Sequence, residues 1–337
     1  MTGRERVLRA LEFRNPDRIP LDAWIMPGAF SKYGEELCRL AEQNPPDIMP
    51  IPGPSDHGFT PEYYQRGTYV DLWGCPWVNV QPGLIGEVKD HILADDERLD
   101  SYRPPVEPFL KWWEEAKPEI RENISQARKR GQFILGGWVS LFERMQFLRG
   151  TQELFIDIAS KEGNTEKLLA IVMEFYHVYL DRWLECDIDG VGFGDDWGSQ
   201  ISTLISPSDF REIFKPRYRE LFTRVKKAGK KIFFHSDGWI YDLYDDFLDL
   251  GIDAINTQVW CMGIEKVRGK LAGKITAWGE LNRQYTMPAG SPEDVHREAR
   301  LLKDCFAVNG GGFIGLGSVL PDVPLENARA MFAAWNT

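Results

Sequence analysis

An alternation that begins near residue 110 does most to constrain what this chain can fold into. Short apolar runs at 132–137, 190–194, 231–235, 253–256, 274–278 and 312–315 take turns with longer amphipathic segments. The runs are continuously apolar, β-branched or aromatic, the pattern of parallel strands buried on both faces. The segments between them predict helices over 110–130, 140–150, 152–161, 165–186, 207–228, 240–250, 262–272, 291–308 and 324–335. Strand–helix alternation means right-handed βαβ units around a parallel sheet. With a further strand at 18–24, at least seven strands are expected. That count favours an α/β fold of the closed (β/α)8, or TIM barrel, type over an open doubly wound sheet.

The N-terminal third reads differently. A helix is expected over 4–13 and the first strand over 18–24. Residues 26–110 are rich in proline and glycine, with Trp73, Trp77 and several tyrosines. So aromatic a stretch is not disordered. It is expected to be an N-terminal cap over one face of the barrel, with the whole chain, 1–337, a single domain.

The net charge of −11 argues against a nucleic-acid or anionic-membrane surface. No apolar run approaches the ~20 residues of a membrane span. The first residues lead into an amphipathic helix and not a signal peptide, which makes a cytoplasmic location the expectation. Five scattered cysteines, Cys38, Cys75, Cys186, Cys261 and Cys305, show no CxxC spacing. No disulfide framework is expected, and each reads as a small hydrophobe.

In a barrel of this kind, chemistry sits just past the strand C-termini. The richest such position is His235-Ser236-Asp237, closing the run 231–235. His235 reads as a metal ligand or acid–base group, or else as a histidine satisfied within the barrel. Asp237 could orient His235, bind a metal or cap the next helix. Of Asp195 and Asp196, one is expected to face the mouth and the other to cap or pair. Glu280 is a further candidate ligand, with a surface charge as its bland reading. Trp24, Trp138, Trp197, Asn256, Gln258 and Asn282 also fall at strand ends, where they could bind substrate. Carboxylates converging on one histidine suggest a metal or acid–base site. Other signals are weaker. The first glycines of 310–317 precede their strand, where a phosphate loop would follow one, so they read as turn glycines. Asp242, Asp245, Asp246 and Asp249 read as a solvated helix face. His57, His91, His177 and His296 show no ligand spacing.

Several short motifs, in this order, resemble those of the uroporphyrinogen decarboxylase superfamily, in its cobalamin-dependent methyltransferase-like branch. They are 14–20, 71–74, Phe142 to Arg144 with Leu148 to Gly150, 195–200, Ser206-Pro207 with Lys215 to Tyr218, 235–238, 251–256 and 322–327. The resemblance implies a (β/α)8 barrel. Two departures bear on function. The porphyrinogen decarboxylases carry an arginine-rich segment after the first strand that holds substrate carboxylates; here it reads Trp24-Ile25-Met26-Pro27-Gly28. An acidic mouth would also repel such a substrate. The zinc methyltransferases use His-x-Cys and a later cysteine. Here His235 matches the histidine, Asp237 replaces the first cysteine and Ser318 falls near the second. Strand-end convergence and the match at His235 together lead to the expectation of zinc on harder ligands, His235 with one or more of Asp237, Glu280 and Asp195, suited to an oxygen substrate. Asp195, Asp196 and Asp237 are the expected catalytic carboxylates. The expected activity is O-demethylation: a methyl group moves from a small, possibly methoxylated aromatic donor to a corrinoid carried by a partner protein. A decarboxylase or lyase acting on another acid, and a non-catalytic binding protein, are the competing readings. The expected partners are the corrinoid protein and the small donor, possibly with a second copy as a homodimer, and neither nucleic acid nor membrane.

Overall fold

The computed structural model describes residues 1–53, 61–161 and 163–336. His57 lies outside them. In chain order the strands are β1 (Leu21–Ile25), β2 (Ile48–Ile51), β3 (Gly67–Val70), β4 (Pro76–Asn79), β5 (Glu87–Val88), β6 (Phe133–Val139), β7 (Gly190–Gly194), β8 (Lys231–Ser236), β9 (Ala254–Thr257), β10 (Thr276–Glu280) and β11 (Phe313–Val319). Eight of them form one parallel sheet in the order β1-β11-β10-β9-β8-β7-β6-β2. Helices follow the strands around it, as in a (β/α)8 barrel.

The seam between β1 and β2 is drawn together by Asp47. Its backbone N–H donates to Leu21 O at 2.8 Å, and its carboxylate accepts the Leu21 N–H at 2.7 Å. Arg6 and Arg18 donate to the same carboxylate at 2.6 and 2.8 Å, which compensates the burial of its charge. The bottom of the barrel is plugged by helix Gly3–Leu11, which opens on a Thr2–Glu5 capping box. Val7, Ala10 and Leu11 join Ile48, Phe133, Phe233, Trp278 and Ile314 in an inner core separate from the outer one between sheet and helices. Strand periodicity then places the site, because residues two apart share a face. Phe233 sends His235 to the same interior, one layer nearer the mouth, as Trp278 does Glu280 and Leu316 does Ser318.

The expected strands and helices after residue 110 are all present, with ends moved by a few residues. The expected cap at 26–110 is corrected in its first half. Helix Pro27–Gln43 and strand β2 are barrel elements, and β2 pairs in register with β6. Ile48-Met49-Pro50-Ile51 went unread because its proline marks a strand edge or break; as a strand beside the seam, it tolerates the missing donor. The excursion proper carries the antiparallel sheet β3-β4-β5. It is fastened to the barrel helices through Trp73, whose ring lies 4.5 Å from that of Phe175, and through Leu93 N–H, which donates to Leu148 O at 2.8 Å.

Smaller expectations are also checked by the structure. Gly310 and Gly312 have φ of 78° and 80°, as turn glycines should. The acidic helix face is corrected at Asp246, which is buried and paired with Arg211 and Lys215 at 3.0 and 2.8 Å. All five cysteines are free, and Cys38 is exposed where a buried one was expected. Among the described residues, no helix is long and apolar enough to cross a membrane.

Candidate active site at the barrel mouth

His235 is the penultimate residue of β8. Its Nδ1 lies 2.5 Å from Asn256 Oδ1, on neighbouring β9. The Asn256 amide donates to Trp278 O at 2.7 Å, which turns its oxygen toward the imidazole. Nδ1 therefore carries the proton, and Nε2 presents its lone pair to the mouth. Facing it are Asp196 and Asp237, each with a carboxylate oxygen 3.7 Å from Nε2. One donor atom from each of these three residues lies within 4.8 Å of the others.

Two loops bring the carboxylates together. Asp195 N–H extends the β7–β8 ladder to His235 O at 3.1 Å, and Asp237 N–H donates to Asp196 Oδ1 at 2.9 Å. The loops touch at Gly198 and Gly238. A Cβ on Gly238, whose φ is 76°, would lie 2.1 Å from Gly198 O, so only glycine allows the approach. Asp237 is not a helix cap. Its Oδ2 accepts from Arg283, while its Oδ1 is buried without a hydrogen-bonding partner.

Asp195 takes the other role expected for the pair. It is fully buried and accepts from the N–H groups of Leu141 and Glu143, each at 2.8 Å, and from Tyr218 Oη. It caps helix Phe142–Arg149 from a distance and is withdrawn from the mouth, which corrects its reading as a catalytic group. Trp197 is corrected likewise. It is fully buried and stacked on Phe142, with centroids 4.2 Å apart and planes at 12°. Trp24 and Trp138 do flank the site, with ring centroids 5.4 and 6.2 Å from that of His235. Asn256 is a buried support for His235 and not a substrate contact. Gln258 Oε1 accepts from Gln200 Nε2 and Gly238 N–H, at 3.0 and 3.2 Å, and braces the loops. Asn282 Oδ1 accepts from the N–H groups of Gln284 and Tyr285, each at 3.0 Å, and shapes a turn.

Glu280 ends β10 and is 1% exposed, not a surface charge. It stands outside the trio, where Asp196 occupies the place expected of it. Arg283 lies between, its Nε 3.7 Å from Glu280 Oε1. Sequence reasoning missed Arg283, one residue past the strand-end segment it considered, and also Glu143 and Asp22. Glu143 follows β6 within a motif already noted. Its carboxyl is held well above the usual range by burial and by Asp196, Asp195 and Asp237. Asp22, below the mouth, accepts from Trp278 Nε1 at 2.9 Å, and burial pushes it up to about 6. Burial and Asp237 raise Asp196. Burial opposes the charge on Arg283, but Glu280 and Asp237 hold it protonated.

Burial lifts Glu280 from 4.5 to about 7, against the pull of Arg283. Between those values the folded chain holds a proton that the unfolded chain has released, so stability falls as pH rises through the interval. Wild type should therefore lose about 3 kcal/mol relative to Glu280→Gln between pH 4.5 and 7. Urea unfolding of both proteins across this range measures it; parallel curves would show that Glu280 titrates normally.

A mouth of this kind, with histidine and carboxylates at the C-terminal ends of barrel strands, defines a (β/α)8 protein of the enzyme type. The model of the family described as Uroporphyrinogen decarboxylase (URO-D) matches residues 73–337, and the chain belongs to that family. Among solved structures, it is similar to a methyltransferase from Methanosarcina mazei, with 18% identity and a TM-score of 0.76 over 100% of this chain and 98% of that one. That likeness is one of fold. A match to a chitinase from Chromobacterium violaceum ATCC 12472, at 10% identity and a TM-score of 0.44, covers 94% of this chain and 99% of that one. Comparison with curated proteins gave no match.

Proposed function

We propose that the chain is a methyltransferase that takes a methyl group from a small methoxylated compound and passes it to a corrinoid carried by a partner protein. A divalent metal, zinc by preference, is held by His235, Asp196 and Asp237. The observation that carries this reading is the His235 Nε2 lone pair, fixed by Asn256 and facing two carboxylates. The donor set fits: three protein ligands of nitrogen and oxygen type, with a buried Asp237 oxygen lacking any other partner. Bound there, zinc would supply Lewis acidity to the ether oxygen and make it a better leaving group. The M. mazei structure, itself a methyltransferase, supports the choice of chemistry.

The chain's own residues do the rest. Asn256 keeps the Nδ1 proton in place, so that Nε2 stays a lone-pair donor. Arg283 holds Asp237 in position through Oδ2. Trp24 and Trp138 form aromatic walls for a flat substrate. Glu280, lifted to about 7, holds a proton near neutral pH that can pass to the departing oxygen.

Porphyrinogen decarboxylation fits the mouth poorly. Asp196 and Asp237 would face eight substrate carboxylates, and Arg283, the cation beside them, is already paired. The test mixes the protein with a reduced corrinoid protein and a panel of methoxylated compounds, and follows methyl-Co(III) by absorbance. Methylation by at least one donor is expected. No methylation across the panel, with carbon dioxide released from a carboxylated compound, would overturn the reading.

A further inference from the structure

Three buried polar atoms at the mouth have no hydrogen-bonding partner: Asp237 Oδ1, Glu280 Oε2 and Ser318 Oγ. Buried polar groups are nearly always satisfied, so each needs an explanation. The metal site accounts for Asp237. Glu280 and Ser318, 1% and 4% exposed, belong to no such cluster.

Their strands are neighbours. Glu280 pairs in register with Leu316 of β11, and Ser318 lies two residues further toward the mouth on the same face, opposite Trp24 of β1. A carboxylate, a hydroxyl and an indole thus line one side of the mouth. Arg283 ties that side to the metal ligands: its Nε approaches Glu280 and its Nη2 donates to Asp237. A single guanidinium spans the gap. Groups bound at Glu280 and at Asp237 can therefore belong to one small molecule. Asp196 and Asp237 lie close by and the cation beside them, Arg283, is already paired, so an anionic group is unwelcome there.

We propose that Glu280 and Ser318 form a specificity subsite that selects donors carrying a neutral hydroxyl beside the methoxy group, and rejects donors carrying a carboxylate there. The proposal rests on the methyl-donor reading above. Glu280 accepts the substrate O–H, Ser318 Oγ donates to the hydroxyl oxygen, and Trp24 borders the ring. A site built to bond a hydroxyl discriminates strongly against the analogue without one, because its own polar groups are then left unpaired.

The experiment is calorimetric titration of the full chain, without corrinoid, with 2-methoxyphenol, methoxybenzene and 2-methoxybenzoate. The expected result is 2-methoxyphenol bound ~10- to 100-fold more tightly than methoxybenzene, with 2-methoxybenzoate weakest. Glu280→Leu and Ser318→Ala should each cut the preference by about fivefold or more. Should Glu280→Leu fail to fold, Glu280→Gln keeps the shape but replaces the carboxyl with an amide, and should likewise reduce the preference. A preference that survives in both positions' variants comes from chelation by metal through the two oxygens, and overturns the subsite. Equal binding of the three probes, or no binding of any, overturns it too. The readout involves no turnover, so failure of methyl transfer to corrinoid is distinguishable from failure of the subsite.

Discussion

His235→Ala should empty the mouth of metal and cost about 10³-fold or more in methyl transfer, the several kcal/mol that a Lewis acid contributes to such a step. The imidazole is the nitrogen donor of the trio, and its Nε2 faces both Asp196 and Asp237 at 3.7 Å. Alanine leaves two carboxylates side by side with nothing to hold a cation tetrahedrally. The fold should survive, since the deleted ring borders an open mouth. Asn256→Leu is the informative companion. It keeps the imidazole but removes the acceptor that fixes its tautomer, and should weaken metal binding by about 10- to 100-fold. Metal analysis of the purified proteins, read beside methyl-Co(III) formation, checks both. Full metal stoichiometry in His235→Ala would place the metal elsewhere.

The barrel was legible because its strands are buried on both faces, and an unbroken apolar run is hard to mistake between helices. Strand β2 escaped because Pro50 interrupts its pattern and because it borders the seam. The site was legible in its centre and blurred at its rim, for a physical reason. A strand-end position tells which residues reach the mouth, but not which way a loop side chain turns. Asp195 and Asp196 are adjacent and chemically alike, yet one lies under a helix N-terminus and the other faces His235. Trp24 and Trp197 both follow the strand-end rule, yet Trp197 is drawn into the outer core by Phe142, Phe210 and Phe214. Arg283 and Glu143 belong to the site through contacts that only the folded loops create. The motifs that carried the family resemblance also divide on inspection. His235 and Asp237 serve the mouth, whereas Lys215 and Asn327 hold helices and loops together.

The motif pair of Asp71 and Arg144 leads to the largest expected effect on stability. Arg144 Nη1 donates to Asp71 Oδ2 at 2.6 Å, and both side chains are 1% exposed. Asp71 also accepts from the N–H groups of Trp73 and Cys75 at 3.0 and 2.8 Å, and from Trp77 Nε1 at 3.1 Å. One carboxylate thus organises the turn that carries the excursion, while the guanidinium that neutralises it comes from helix Phe142–Arg149 beside the mouth. Arg144 lies over the Trp73 ring, 5.1 Å from its centroid. Removing one member of a buried pair leaves the other charged and unpaired, which costs more than the pair contributes. Arg144→Met should therefore destabilise the chain by about 3–5 kcal/mol. Asp71→Asn combined with Arg144→Met should recover a good part of that loss, because no lone charge then remains. Because Glu143 is the preceding residue, the single variant should also lower methyl transfer through displacement of the helix. Denaturant midpoints of the two single variants and the double variant form the test. A loss below about 1 kcal/mol in Arg144→Met would mean that water reaches Asp71 and that the excursion is held by its aromatic contacts instead.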